Sequence, residues 1–218
     1  LAADTGEILL DGQQARLTSP AQAVALGVGM LHQDPLDFPA FRVIDNFLLG
    51  SPGGWWLDRH RNRSRLIELA SQFDFKLDPD AFVSDLSIGE RQQLEIIRLL
   101  GLGVSVLILD EPTTAISAQQ KKKLFEALHQ LTEQGKTVIF VSHKLEEVRN
   151  LCSKVTVMAH GRVTGEAIMP CPTEELVQMM FGRTIMVGKR CAVAFGKSLL
   201  ELENITVSDW RLEVKNLS

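Results

Sequence analysis

The chain has 218 residues, of which 45% are hydrophobic and 23% are charged, so it is long enough to bury a core and to form one or two domains. Its 23 basic and 27 acidic residues give a net charge of −4, which argues against a nucleic-acid binder that works through overall positive charge. No apolar run approaches the roughly 18 residues that a membrane-spanning helix needs. The cysteines (Cys152, Cys171 and Cys191) lack metal-ligand spacing, and we expect buried free thiols in a reducing compartment.

The first 47 residues predict short strands around one helix. Asp11-Gly12 is a strong signal for a tight turn between two short antiparallel strands. Ser19-Pro20 supplies the N-cap and the first-turn proline of a helix, which we expect to end at Gly27. A short buried strand is then predicted from Val28 to His32.

The next stretch, up to Gly103, changes character and predicts an inserted helical subdomain. Asp58 precedes a basic helix, and Pro79 is expected to interrupt the helical pattern. Ser87 and Glu90 have the spacing of a capping box ahead of apolar residues at helical period. The helix start at Ser87 is therefore predicted from local chemistry alone.

Strands and helices alternate in the rest of the main domain. Val104 to Leu109 and Thr137 to Val141 are apolar runs typical of parallel strands buried on both faces. Ser117 is predicted to cap the helix between them. This alternation predicts an α/β layered domain with a mostly parallel sheet. A further strand (155–159), a turn at His160-Gly161, and a last helix capped by Thr173 and closed by Gly182 complete the prediction.

The predicted organisation has four parts. Residues 1–47 and 104–182 form the core subdomain, and residues 48–103 form the helical subdomain. Residues 183–197 show no clear period and are predicted to be a linker. Residues 198–218 alternate weakly and predict two antiparallel strands.

Two adjacent acids, Asp110 and Glu111, end the first apolar strand of this sheet and precede Pro112. Ligands of α/β sheets bind at the carboxyl ends of strands. One acid can hold a hard cation such as Mg²⁺, while the other can orient or deprotonate a water molecule. The alternative is a pair of solvated acids beside a turn proline, for which the end of a wholly apolar strand is a poor place.

Three weaker features accompany these acids. The helix start at Ser87 offers free N–H groups that suit a phosphate oxygen, and Gly89 lets a ligand approach closely, although an ordinary capping box explains both residues as well. His143 follows a buried strand and can hydrogen-bond a phosphate or a water, although a structural histidine is the ordinary alternative. Gln33 alone means little.

Jointly, and in this order along the chain, these segments resemble those of an ATP-binding cassette (ABC) ATPase, which implies a P-loop NTPase-type fold. Gln33 resembles the Q-loop, LSIGE (Leu86 to Glu90) the signature motif, VLILDEP (Val106 to Pro112) the Walker B strand, and His143 the switch histidine. The wording of SHKLEEV, PTEELVQMMFGR and LSIGERQQLEI is similar to that of importers for simple sugars and nucleosides, in which two cassettes are usually fused.

The resemblance implies ATP and Mg²⁺ as cofactors and a role for each matching residue. Asp110, with Gln33, would hold the Mg²⁺ of Mg-ATP. Glu111 would be the general base that polarises the water attacking the γ-phosphate, which His143 would contact. In the same family, Ser87 and Gly89 would clamp the γ-phosphate of the nucleotide held by the opposite cassette, so hydrolysis would belong to a pair. A list of these implied site residues is Gln33, Ser87, Gly89, Asp110, Glu111 and His143.

The implied partners are transmembrane permease subunits, a second cassette and, indirectly, a solute-binding protein, at the cytoplasmic face of the membrane. No nucleic-acid partner is expected. Residues 34–57 are apolar and aromatic, which suits docking to a membrane subunit, although Phe47 is expected to be a core residue. The alternative is a soluble ABC-type ATPase that acts on ribosomes or DNA, which should carry a different signature and basic insertions.

The sequence departs from the family pattern in two places. The phosphate-binding loop G-x-x-x-x-G-K-[ST], or Walker A, is absent, because Cys191 stands where the first glycine ahead of Gly196 would be needed. We therefore expect a fragment between the two Walker A loops of a tandem-cassette protein, which neither binds ATP tightly nor hydrolyses it. Residues 198–218 resemble the first strands of a second cassette, and one hypothesis is that they fold back or swap. Ser117 replaces an aspartate that couples the two sites in many cassettes.

Overall fold

The computed structural model describes residues 5–51 and 58–182, and the backbone of residues 202–207 and 212–217. Contacts within the chain divide it into one unit of residues 1–183 and a second of residues 184–218. The predicted linker 183–197 lies outside the described residues, as do Cys191 and the Gly196 segment. Whether the second unit folds back or swaps also lies outside what is described, and the four-part division of the chain stays a prediction.

The elements follow the predicted order closely. The helices are α1 (Pro20–Ala25), α2 (Val43–Leu48), α3 (Arg59–Gln72), α4 (Ile88–Gly101), α5 (Ala118–Glu133), α6 (Leu145–Leu151) and α7 (Thr173–Phe181), with a 3₁₀ turn at Val83–Asp85. The strands are β1 (Leu9–Leu10), β2 (Gln13–Gln14), β3 (Val28–Leu31), β4 (Val106–Asp110), β5 (Thr137–Val141), β6 (Lys154–Ala159), β7 (Arg162–Ile168), β8 (Leu202–Val207) and β9 (Leu212–Leu217).

Polar N-caps begin the helices that the sequence analysis expected to begin there. Ser19 accepts a hydrogen bond from the backbone N–H of the third residue of α1, and Asp58 does the same for α3. Ser87 and Ser117 each form a complete capping box. Thr173 was wrongly predicted as a cap: it is the first residue of α7, and its hydroxyl accepts a hydrogen bond from the guanidinium of a residue on α6 instead.

The central sheet is parallel, in the order β3-β4-β5. Leu31 of β3 pairs with Leu109 of β4, and Asp110 pairs with Val141 of β5, so all three strands end at the same edge. The prediction of strands buried on both faces is wrong for the described residues, since Ile139 and Val141 are 48% and 46% exposed. Side chains alternate along a strand, and the core cluster takes up the face that carries Leu31, Leu107 and Leu109.

Antiparallel pairs accompany this sheet, as the α/β fold class predicted. Strands β1 and β2 join through Asp11-Gly12, whose φ angles of 50° and 76° suit a tight hairpin turn. Strands β6 and β7 form a second hairpin through His160-Gly161. In the second unit, β8 and β9 pair antiparallel, as expected for residues 198–218.

A single apolar cluster holds α2, α3, α4 and α5 against the packed face of the sheet. Phe47 is 2% exposed, which confirms it as a core residue, and its ring occupies the space beside Gly101 at the end of α4. Burial of Leu66, Leu94 and Ile97 fixes α3 against α4, so the helix start at Ser87 is carried on a rigid support. None of the described helices has both the length and the hydropathy of a membrane span.

Candidate functional site

The carboxyl edge of the parallel sheet gathers the residues that the sequence analysis singled out at strand ends. Gln33 follows β3, Asp110 closes β4, Glu111 comes next, and His143 follows β5. The register places these strand ends side by side. Asp110 is half-buried, whereas Gln33 is exposed.

Glu111 and His143 are in direct contact at this edge. The Oε1 atom of Glu111 lies 2.9 Å from Nδ1 of His143, and the other carboxylate oxygen accepts a hydrogen bond from the Thr114 hydroxyl at 3.3 Å. The Glu111 N–H donates to the carbonyl of Val141 at 3.0 Å. The backbone of Glu111 has a φ of 45°, a left-handed conformation that costs a non-glycine residue on the order of 1–2 kcal/mol. The side chain is therefore aimed by its backbone and held by its neighbours.

The hydrogen bond with His143 lowers the pKa of Glu111 below its ordinary value, although partial burial opposes the shift. The charge of His143, the Thr114 hydroxyl and the charge of Lys144 act in the same direction. Glu111 is therefore ionised at neutral pH and can accept a proton. Since an ionised carboxylate only accepts hydrogen bonds, Nδ1 of His143 carries the proton in this contact.

A buried carboxylate that the sequence analysis missed lies beside this pair. Glu147 of α6 is only 3% exposed, and it accepts a hydrogen bond from the Thr113 hydroxyl at 2.6 Å. The ammonium groups of Lys121 and Lys144 lie 3.6 and 3.7 Å from its other oxygen. Lys144 also donates to the carbonyl oxygen of Thr113 at 3.1 Å. Glu147 thus ties the loop after Glu111 to the helix after His143.

The second group of predicted residues lies at the start of α4. The carboxylate of Glu90 accepts hydrogen bonds from the Ser87 N–H at 2.8 Å and from the Ser87 hydroxyl at 2.6 Å. Gly89 is buried because the side-chain amide of Gln120 covers it, and a Cβ at Gly89 would lie 2.5 Å from Cδ of Gln120. Local spacing revealed the capping box but carried no signal for Gln120.

Among the described residues, no hydrogen bond joins the strand-end group to the α4 group. The structure therefore brings Asp110, Glu111 and His143 to one edge and leaves Ser87 and Gly89 at a separate surface. The described part of the chain contains no cluster of three His, Cys, Asp or Glu residues with metal-binding geometry. The oxygen donors of Asp110 and Gln33 do suit a hard cation.

An exposed aromatic segment, residues 36–41, lies between these two groups along the chain. Phe38 and Phe41 stack at 5.4 Å and are 54% and 46% exposed. The buried amide of Asn46 binds the backbone N–H and carbonyl of Phe38, and Arg91 makes two hydrogen bonds to Asp37. The segment is thus rigidly presented. Trp55 and Trp56, which were also considered for docking, lie outside the described residues.

Comparisons with known proteins agree with this arrangement. The family model described as ABC transporter matches residues 1–114. The nucleoside import ATP-binding protein NupA of Lactococcus lactis is 32% identical over 219 residues, covering 98% of this chain and 43% of that protein. The ribose import ATP-binding protein RbsA 1 of Rubrobacter xylanophilus is 39% identical over 184 residues, covering 84% and 37%. The chain spans less than half the length of these curated relatives.

A solved nucleotide-free ATP-binding cassette from an ABC transporter has the same fold. It superposes with a TM-score of 0.68 at 21% identity, covering 77% of this chain and 71% of the other.

Proposed function

Because the chain belongs to the ABC transporter family, in which cassettes bind ATP, we propose that it supplies ATP-binding and ATP-hydrolysing residues to an importer for simple sugars or nucleosides. The direct contact between Glu111 and His143 is the observation that carries this proposal. The relatives that match most of the chain are named for nucleoside and ribose import, which supports these two classes of solute.

Glu111 is assigned as the general base of ATP hydrolysis. Its lowered pKa keeps the carboxylate ionised, so it can take the proton of a water molecule that attacks the γ-phosphate. His143 orients this carboxylate through Nδ1, and the hydrogen bond to Thr114 restricts it further. The strained backbone at Glu111 supports the same assignment, since strain of this kind concentrates at active sites.

Asp110 and Gln33 are proposed to hold Mg²⁺ together with ATP. Both residues follow the packed strands β3 and β4 at the same edge and offer oxygen atoms, the donors that Mg²⁺ prefers. When bound, the cation neutralises charge on the phosphates. The carboxylate of Asp110 is the stronger ligand of the two because it carries the negative charge.

Ser87 and Gly89 are proposed to contact the γ-phosphate of a nucleotide held by an opposite cassette. Their separation from the strand-end group supports a role in a second site. A helix start presents backbone N–H groups and the positive end of the helix dipole, which suit a phosphate. Hydrolysis would then require two cassettes facing one another.

The 218 residues contain no G-x-x-x-x-G-K-[ST] loop, whose lysine and backbone N–H groups grip the phosphates. We therefore propose that residues 1–218 alone neither bind ATP with micromolar affinity nor hydrolyse it. Titration with a fluorescent ATP analogue should show no saturable binding in the micromolar range. Tight, saturable binding would contradict this part of the proposal.

The exposed aromatic segment 36–41 is proposed to dock on a membrane-embedded permease subunit. Exposed aromatic residues on a rigid support are typical of interaction sites. The segment favours a membrane partner over the alternative of a soluble ATPase that acts on ribosomes or DNA. This docking would place the protein peripherally at the cytoplasmic face, with a solute-binding protein as an indirect partner.

A chimera tests the proposed function. The matching 219-residue stretch of NupA is replaced by this chain, and ATP hydrolysis is measured in the assembled importer. Glu111→Gln should reduce hydrolysis by about 100-fold or more, since the amide cannot accept the proton. Glu146→Gln, an exposed acid of α6, is the matched control and should leave the rate unchanged. A Glu111→Gln chimera that hydrolyses ATP at the unmodified rate would sink the proposal.

A further inference from the structure

Gln120 of α5 connects the two groups of proposed functional residues. Its Oε1 accepts a hydrogen bond from the Ser117 N–H at 3.0 Å, and its Nε2 donates to the Ser87 hydroxyl at 2.9 Å. Ser117 ends the loop that begins with Glu111, whereas Ser87 is the N-cap of α4. One side chain therefore joins the loop of the strand-end group to the start of the α4 group.

The contact is closely fitted at both ends. The Gln120 amide lies against Gly89, where the three amide atoms would be within 2.5–2.9 Å of any added Cβ. The Ser87 hydroxyl gives its proton to Glu90 at 2.6 Å, so toward Gln120 it can only accept. Gln120 supplies the matching donor, and its orientation is set by Ser117, which requires the oxygen on the other side.

We infer that Gln120 is a positioning residue that couples the loop after Glu111 to the phosphate-binding surface at Ser87. This inference rests on the proposed function, in which Glu111 serves the cassette's own nucleotide and Ser87 serves the opposite one. Ser117 has no carboxylate of its own to make such a link, and Gln120 provides it through an amide. The two nucleotide sites of a pair are thereby connected within one cassette.

The coupling has a physical basis in competition for Ser87. A phosphate at this surface must take hydrogen bonds from the Ser87 N–H and hydroxyl, both of which Glu90 holds in this structure. When Ser87 turns toward a phosphate, the acceptor of Gln120 moves with it. Gln120 then follows or loses a hydrogen bond, and either change is felt at Ser117. By linkage, displacement of the Ser117 loop alters phosphate binding at Ser87 equally.

Two substitutions of Gln120 separate its two contacts. Gln120→Glu keeps an oxygen for the Ser117 N–H but loses the donor to Ser87 and places a second carboxylate near Glu90. Gln120→Ala removes both contacts. Gln119→Ala is the matched control, because Gln119 is the exposed neighbour on α5 and has no side-chain hydrogen bond within the described part of the chain.

Amide hydrogen exchange of the 218-residue chain tests the bridge itself. Gln120→Glu should speed exchange at residues 87–90 about fivefold, the effect of one lost hydrogen bond, and leave residue 117 unchanged. Gln120→Ala should speed exchange at both places, and Gln119→Ala at neither. Unchanged exchange at residues 87–90 in both Gln120 variants would overturn the inference, even if both variants lowered the melting temperature.

The chimeric importer tests the coupling. With the unmodified sequence, ATP hydrolysis should be cooperative in ATP, and Gln120→Glu should lower the Hill coefficient toward unity while Gln119→Ala leaves it unchanged. A chimera without ATP hydrolysis overturns the proposed function and the coupling together. A cooperative chimera in which Gln120→Glu changes nothing, or an active chimera without cooperativity, overturns the coupling and leaves the proposed function standing.

Discussion

The carboxylate of Glu111 and the imidazole of His143 meet at 2.9 Å although 32 positions separate them in the chain. Each residue immediately follows a strand of the parallel sheet, and Asp110 and Val141 pair directly across those strands. The contact makes the ionisation of Glu111 depend on His143, because the hydrogen bond between them is the largest cause of the lowered pKa.

Removal of the imidazole should therefore raise the pKa of Glu111. In His143→Ala we expect the Glu111 carboxyl to titrate at higher pH than in the unmodified chain, which carbon-13 NMR of labelled glutamate can follow. A lowered pKa means that the stability from this contact is present above the unfolded-state pKa of Glu and is lost as the pH falls through the folded-state value. This acid-dependent contribution should disappear in the variant.

The control for this titration is His129→Ala, which removes an exposed histidine of α5 that does not contact Glu111. It should leave the Glu111 titration where it is. If His143→Ala also leaves it there, the contact does not set the ionisation of the proposed base.

Glu147 should stabilise the fold and the loop after Glu111. Glu147→Ala removes a buried acceptor from Thr113 and two nearby ammonium groups, and hydrogen bonds to charged groups contribute about 1.5–3 kcal/mol each. Lys121 and Lys144 are 38% and 36% exposed and can turn to water, so we expect a loss of about 2 kcal/mol rather than their sum. Urea unfolding measures this loss.

Two variants show whether that effect is specific. Glu147→Gln keeps an acceptor for the Thr113 hydroxyl and should lose less than Glu147→Ala. Glu146→Ala changes the exposed neighbouring acid and should alter the unfolding free energy by no more than about 0.5 kcal/mol. Equal stabilities for Glu147→Ala and Glu146→Ala would show that the buried network contributes nothing.

The strand-end residues could be predicted because their positions follow from a rule of topology. Parallel strands end at one edge, so polar residues after Leu109 and Val141 must come together, as Glu111 and His143 do. Capping boxes at Ser87 and Ser117 were equally accessible, since three residues contain the whole signal.

Glu147 and Gln120 could not be found in this way. Their contacts with Thr113 and Ser87 cross 34 and 33 positions, and they exist only because α4, α5 and α6 pack at particular angles. The apolar strand β5 misled for a related reason. Its composition suits burial on both faces, but composition does not say which residues cover each face, and Ile139 is 48% exposed.

Gly89→Ala offers an independent route to the Gln120 bridge. The new Cβ would collide with the Gln120 amide, the flexible end of its side chain, which should swing away and release Ser87 and the Ser117 N–H. Alanine in a helix gains about 0.5–1 kcal/mol over glycine, which offsets the lost hydrogen bonds. Global stability should thus stay within about 1 kcal/mol while amide exchange at residue 117 rises. Unchanged exchange there would mean that Gln120 tolerates the methyl group in place.

The aromatic segment should decide whether the protein finds a membrane partner. Phe38 and Phe41 face solvent, so replacing both with serine removes exposed apolar surface and should leave the unfolding free energy within about 1 kcal/mol. In the chimeric importer, the Phe38→Ser/Phe41→Ser variant should lose co-purification with the permease. Ile67→Ser is the matched control, because Ile67 is 45% exposed on α3, outside this segment. If the double variant still co-purifies with the permease as the control does, residues 36–41 are not the docking surface.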